Sequence, residues 1–222
     1  MNVEKTAVSA DDMALINKYS RAELSADDVY SFKMVCCDSK IDRDGEAFSV
    51  NALHKMAELF VGKTVITDHK PSAENQIARI YKTHVEENNG FSRLTAWAYI
   101  PKNSGNDDFI TLIDTGIVKE VSVSCSVRKR ICSICGKMLD TCHHRKFKDY
   151  DGKTCYGILD EVTDAYEVSF VAVPAQKGAG VTKQCAMYNV QCADSTAVLE
   201  LKIKMAENFI FCLNNFYDKG DF

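Results

Sequence analysis

No stretch of this chain approaches about 18 consecutive apolar residues, so no transmembrane helix is expected. The first residues, MNVEKTAVSADDM, hold no apolar run of the kind a secretory signal needs, so none is expected there. Neither sign of charge dominates: 27 Lys and Arg stand against 31 Asp and Glu, and the two are mixed along the chain. The net charge of −4 therefore gives no reason to expect a nucleic-acid or membrane partner. There is no internal repeat and no low-complexity segment. An HExxH motif is missing too, and with it the usual ligand set of a metallohydrolase.

Cysteine, by contrast, is plentiful. Ten cysteines in a chain without a signal point to a reducing compartment, where clustered thiols more often bind metal than form disulfides. The scattered ones (Cys36, Cys37, Cys125, Cys185, Cys192, Cys212) read as small hydrophobes or inert thiols. The clustered ones lie in RICSICGKMLDTCHH. Cys132 and Cys135 form a C-x-x-C turn, and Cys142 follows with His143 and His144. Such a turn aims two thiolates at one centre, and tetrahedral zinc takes four S or N donors. The set chosen is Cys132, Cys135, Cys142 and His144, with His143 and Cys155 as substitutes. With no position left open, the zinc is expected to be structural and to order an insert, residues 131–157, that has little apolar core of its own. Basic residues around it (Arg128, Lys129, Arg130, Arg145, Lys146, Lys148) keep a zinc-ribbon nucleic-acid module as a rival. The insert lacks interleaved aromatics, which counts against that rival.

The 222 residues, 46% of them hydrophobic, suffice for one sizeable core. Ser9 starts a helix over DDMALINKYS. DVYSFKMVCC reads as a strand, IDRDGE as a turn, and SVNALHKMAELFVG as a helix capped by Ser49 and stopped at Gly62. TVITDH is a short strand. IARIYKTHVEE and FSRLTAWAYIP flank Asn88-Asn89-Gly90 as a hairpin. NDDFITLIDTG is a helix; strands follow over 119–130 and in YEVSFVAVP, closed by Pro174. TAVLELKIKMAENFIFCLNNF reads as an amphipathic helix or a tail. Strands interleaved with a few helices give an α+β class, a β-barrel with peripheral helices being one form of it.

In VSVSCSV, alternation puts Ser122, Ser124 and Ser126 on one face and Val121, Val123, Cys125 and Val127 on the other. A polar outer face of a half-buried strand accounts for this as it stands. A nucleophilic serine needs a base, and histidine suits neutral pH. Of the five histidines, His143 and His144 go to the metal, His54 to a helix and His84 to a strand. His69 ends TVITDH, where a strand hands its last side chain to a loop. In AYEVSFVAV, Glu167 and Ser169 share one face, with Tyr166, Val168, Phe170 and Ala172 on the other. A carboxylate entering such a strand needs a partner. A histidine would serve, as would Lys or Arg; Asp68 and Asp164 are alternative orienters of the base.

Four stretches in fixed order, VYSFKMVCCDSKIDRDGEAFSVNAL, ELFVGKTVITDHKPSAENQIARI, EVSVSCSV and DAYEVSFVAVPAQ, resemble the prohead (capsid maturation) serine proteases of tailed phages, similar in fold to herpesvirus assemblin. The resemblance runs from about residue 16 to 183. It implies a protease domain over 1–184 as a small assemblin-like β-barrel with peripheral helices, the zinc loop inserted at 131–157. Residues 185–222 would be a C-terminal tail or a linker toward a scaffold segment. It implies a serine endopeptidase with His69 as base, Ser122 as nucleophile and Glu167 as third member. Its substrates would be the major capsid protein, scaffold protein and the protease itself, inside assembling proheads in the host cytoplasm, and its state a homodimer. The chain departs at one position: where the family often has serine, an aliphatic residue and glycine, this one has Ser122-Val123-Ser124. That keeps Ser124 as a second candidate nucleophile, and an inactive capsid scaffold protein as the rival function.

Overall fold

The computed structural model describes residues 8–182 with the exception of Asn89. The C-terminal segment 185–222, with its proposed amphipathic helix and Cys185, Cys192 and Cys212, lies outside the described residues. Within them the fold is mixed α+β, mostly strands, with three α-helices. The strands are β1 (Val29–Asp38), β2 (Glu46–Phe48), β3 (Thr64–Thr67), β4 (Ala78–Asn88), β5 (Phe91–Pro101), β6 (Val121–Cys132), β7 (Asp149–Tyr150), β8 (Lys153–Thr154), β9 (Gly157–Phe170) and β10 (Gly180–Val181). The helices are α1 (Ala10–Ile16), α2 (Val50–Phe60) and α3 (Asp107–Asp114). No described helix is long and apolar enough to cross a membrane.

Local chemistry sets the element ends. The Ser9 and Ser49 hydroxyls accept the N–H groups of Asp12 and Ala52, capping α1 and α2 as their positions predict. Helix α1 stops at Ile16 rather than running to Ser20. There Asn17 bonds across to the backbone of Leu24 through both ends of its amide, which fixes a loop instead of another helical turn. Helix α2 buries Ala52, Leu53, Met56 and Phe60, one face at helical spacing, against β4, β5 and β9. The main core gathers these with Phe32, Met34, Ile80, Leu94, Val121, Val168 and Phe170. Cys36 and Cys37 belong to it, and Cys125 packs against it; burial pushes the Cys36 thiol up to about 12 and that of Cys125 to about 11, so both are inert hydrophobes.

The main sheet follows the path β10-β1-β5-β4-β3-β9-β2, with β6 branching onto β9. The path is open, so the closed β-barrel implied by the resemblance is not formed as a continuous ladder. The seam lies between β1 and β6. Among the described residues, only the two-residue β10 enters it, paired with Met34 and Val35 and touching β6's approach through the single bridge Glu120↔Gly180. Gly180 is needed there: a Cβ would stand 2.8 Å from the Lys119 carbonyl oxygen. Four short strands, β2, β7, β8 and β10, were not legible, nor was the first half of β9. Strand β9 is 14 residues long and starts at Gly157, not Tyr166. It also ends at Phe170; beyond it, Val173 is 72% exposed.

Candidate active site and metal centre

Strand β9 carries the first site because it is paired on both sides. In its last turn of sequence it runs parallel to β3 (Thr64↔Glu167, Ile66↔Ser169) and antiparallel to β6 (Ser124↔Glu167, Ser122↔Ser169). Directly paired residues point to the same side of a sheet. Ser122, Ser124, Glu167 and Ser169 therefore share one face. Val121, Val168 and Phe170 turn the other way, into the core, as the alternation predicts. The alternation fails beyond Ser124. Register shifts at Ser124/Cys125 and Ser126/Val127 bulge β9, and Tyr166 leaves the apolar face to which the sequence assigns it. It is half exposed, and its hydroxyl meets Ser126 Oγ at 2.6 Å.

His69 reaches this face through an unusual reversal of the chain after β3. Asp68 and His69 are both in the left-handed region, with φ of 52° and 51°, which costs energy in non-glycine residues. Hydrogen bonds hold them there. The Asp68 amide donates to the Phe170 carbonyl at 2.9 Å, and the His69 amide to Ser169 Oγ at 2.8 Å. Asn75 braces the far side, its amide donating to the carbonyls of Thr67 and Lys70 while its oxygen accepts from Thr67 Oγ1. The result turns the imidazole onto Glu167, Nδ1 to Oε1 at 2.7 Å.

A histidine–carboxylate contact of this length is not diagnostic alone, since His54 and Glu87 make one too. Burial separates the two. Both partners of the His54 pair are more than half exposed, whereas the Glu167 side chain is 9% exposed and its second oxygen is buried without a partner among the described residues. Burial pushes the Glu167 carboxyl above its ordinary range, and the bond and charge of His69 pull it part of the way back. With Glu167 ionised, Nδ1 carries the proton and donates it, leaving Nε2 as an acceptor. The alternative orienters stand elsewhere: Asp68 is near Lys70 and Asp164 near Lys63, both exposed.

The structure thus joins His69 to Glu167 and brings Ser122 to the adjoining rung. Ser122 lies across from Ser169, at a side-chain separation of roughly 5 Å between Cβ atoms of such pairs. No hydrogen bond links Ser122 or Ser124 to the imidazole. Ser169 and Asn75 were missed as site residues. The signal for Ser169 was in plain view, a second polar side chain on the face of the strand already marked by Glu167. A cavity of about 290 Å³ opens beside the serines. It touches Ser122 and Ser124 but neither His69 nor Glu167.

The second centre sits where β6 ends and β9 begins. The C-x-x-C segment folds into a tight turn, with Gly136 N–H on the Cys132 carbonyl and Cys132 N–H on that of Lys137. Sγ of Cys132, Cys135 and Cys142 and a ring nitrogen of His144 all lie within 4.8 Å of one another. Burial alone would raise the Cys132 thiol. Amides of Cys135 and Ile134 and the thiols of Cys142 and Cys135 outweigh it and bring it down to about 6, so the thiolate is accessible near neutral pH. His144 Nδ1 is buried without a partner among the described residues, and its ring packs edge-on against Tyr150. These soft donors and an orphaned nitrogen fit a metal ion. His143 is exposed and outside the cluster. Cys155 is buried, with its Sγ 3.8 Å from that of Cys132.

Comparison of the chain with models of protein families, with curated proteins and with solved structures finds no match.

Proposed function

We propose that this chain is a serine endopeptidase, with Ser122 as nucleophile, His69 as base and Glu167 as the group that orients the base. The observation that carries the reading is the buried Glu167–His69 pair, held by a strained loop one rung from a serine with an open cavity beside it. Strain and an incompletely solvated carboxylate are costs that a merely structural pair has no need to bear. In the reaction, His69 Nε2 takes the Ser122 proton as Oγ attacks the scissile carbonyl. The protonated imidazole then gives that proton to the leaving amine, and water repeats the cycle on the acyl-enzyme. Glu167 keeps the proton of the neutral imidazole on Nδ1 and stabilises the imidazolium.

On the resemblance, the substrates are the major capsid protein, scaffold protein and the chain itself in an assembling prohead, and the working form is a homodimer. The open strand path is then a barrel with its seam at β10. The Cys132–Cys135–Cys142–His144 cluster holds a structural zinc, which takes no part in the chemistry.

Intact mass followed over time tests the reading, with wild type beside Ser122→Ala and Ser124→Ala, each with and without the capsid protein of the same phage. The expected result is trimming by wild type and Ser124→Ala and none by Ser122→Ala at unchanged fold. If wild type trims nothing under assembly conditions, the chain is a scaffold protein that keeps the fold without the activity.

A further inference from the structure

Among the described residues, strand β6 is laddered on one side only. Its partner among the described residues is β9; the other edge is touched near its ends, by the bridges Glu120↔Gly180 and Ile131↔Met138. The cavity beside Ser122 lies along the open stretch between those bridges. Segment 42–48 forms part of its wall, through Asp42, Asp44, Glu46 and Phe48. An open strand edge facing a cleft is suited to an extended polypeptide.

The wall does not stand by itself. Its base, β2, pairs in parallel with Gly157–Leu159 at the start of β9. Its turn is gripped by the metal-binding insert. Lys146 Nζ meets Glu46 Oε1 at 3.0 Å, both side chains largely covered. Phe147 lays its ring on Gly45, so close that a Cβ there would be 2.7 Å from the ring. Phe147 itself is costly to the fold: it is 60% exposed and has φ of 68°, a conformation rare for an aromatic residue. Neither core burial nor backbone preference explains it. Its contact with the groove wall does.

We propose that Lys146 and Phe147 are specificity-determining residues, through which the Cys/His clip holds segment 42–48 as the outer wall of a groove for an extended polypeptide. This rests on the protease reading above. The insert then governs how well a substrate chain is gripped, and the rate of bond cleavage once it is gripped is left to Ser122, His69 and Glu167.

The test uses the full chain and fluorescein-labelled casein, an unstructured polypeptide. Phe147→Ala and Lys146→Met are compared with wild type for turnover, and again on a Ser122→Ala background for binding by fluorescence anisotropy. Metal content of every variant is measured alongside. The expected result is KM raised fivefold or more with kcat within twofold, binding weakened by a similar factor, and metal content unchanged; Phe147→Tyr restores both. Unchanged KM and binding, or a fall in kcat alone, overturns the proposal while leaving the protease reading intact. If wild type does not cleave casein, binding still decides: weaker binding by the Phe147 and Lys146 variants upholds the groove, and equal binding or none overturns it.

Discussion

The carboxylate of Glu167 is placed at a cost to stability, and this makes its removal informative. Burial raises its carboxyl above the ordinary value, and the bond to His69 only partly offsets this. The sign follows from linkage. A group whose folded value exceeds its unfolded one stabilises the fold at pH below the unfolded value, about 4.5, and that stabilisation is lost as pH rises through the folded value. Above it, the fold carries an ionised group that would be better solvated if unfolded. Glu167→Gln removes that charge and keeps the shape. The new amide can still accept from Nδ1, and its NH2 takes the place of an oxygen that has no partner now. At pH 8 the variant is expected within about 1 kcal/mol of wild type by urea unfolding, on the stable side, with any advantage gone by pH 4. Turnover should move in the opposite sense. An uncharged partner no longer stabilises the imidazolium, and an amide NH2 turned toward Nδ1 selects the wrong tautomer. The corresponding acid-to-amide change in a serine-protease triad lowers kcat about 10⁴-fold, and a loss of at least about 10³-fold is expected here. A Glu167→Gln chain that loses more than about 2 kcal/mol of stability yet keeps its activity within threefold would refute the reasoning. It would mean that the carboxylate serves the fold and not the histidine.

Two further perturbations follow from the same geometry. Ser169→Ala removes the acceptor of the His69 amide, leaving a partly buried N–H unpaired at a cost of about 1 kcal/mol by urea unfolding. Because that bond holds the left-handed residue that aims the imidazole, kcat should fall at least tenfold at unchanged KM, with Ser169→Thr retaining most of it; a loss confined to stability would show that the hydroxyl does not aim the ring. At the metal centre, elemental analysis of purified chain should find about one zinc per chain, and a chelator should lower Tm. His144→Ala should lose the metal and Cys155→Ala should keep it; the reverse pattern would make Cys155 the fourth ligand.

What could be read in the sequence, and what could not, divides along the range of the interactions involved. Helix caps, the hairpin at Gly90 and the alternation in VSVS are local, and Ser9, Ser49, Val121 and Ser122 behave as their neighbours dictate. The metal donors are local as well: a C-x-x-C turn followed by Cys142 and His144 can close on one point whatever the rest of the chain does, and their atoms do converge. The early half of β9 was hidden because GILDEVTDA is too charged to look like a strand. It is one nonetheless, since β6 lies along it and the bulges let Thr163 and Tyr166 drop out of the pairing. The open path was not legible, because the seam between β1 and β6 is entered by a two-residue strand, GV, with no pattern of its own, whose Val181 amide meets the Lys119 carbonyl 62 positions away. The site shows both behaviours at once. His69 and Glu167 could be suspected singly, each as a polar group at an odd place in a strand. Their contact spans 98 positions and depends on two left-handed residues, neither of them glycine, so no propensity predicts it. Such local disfavour is where long-range structure overrules sequence, and it is also where function is most often found. The same reasoning applies to Phe147, whose exposed ring and positive φ the local sequence would not choose. If the strain at His69 positions an imidazole, that at Phe147 positions the wall of the groove.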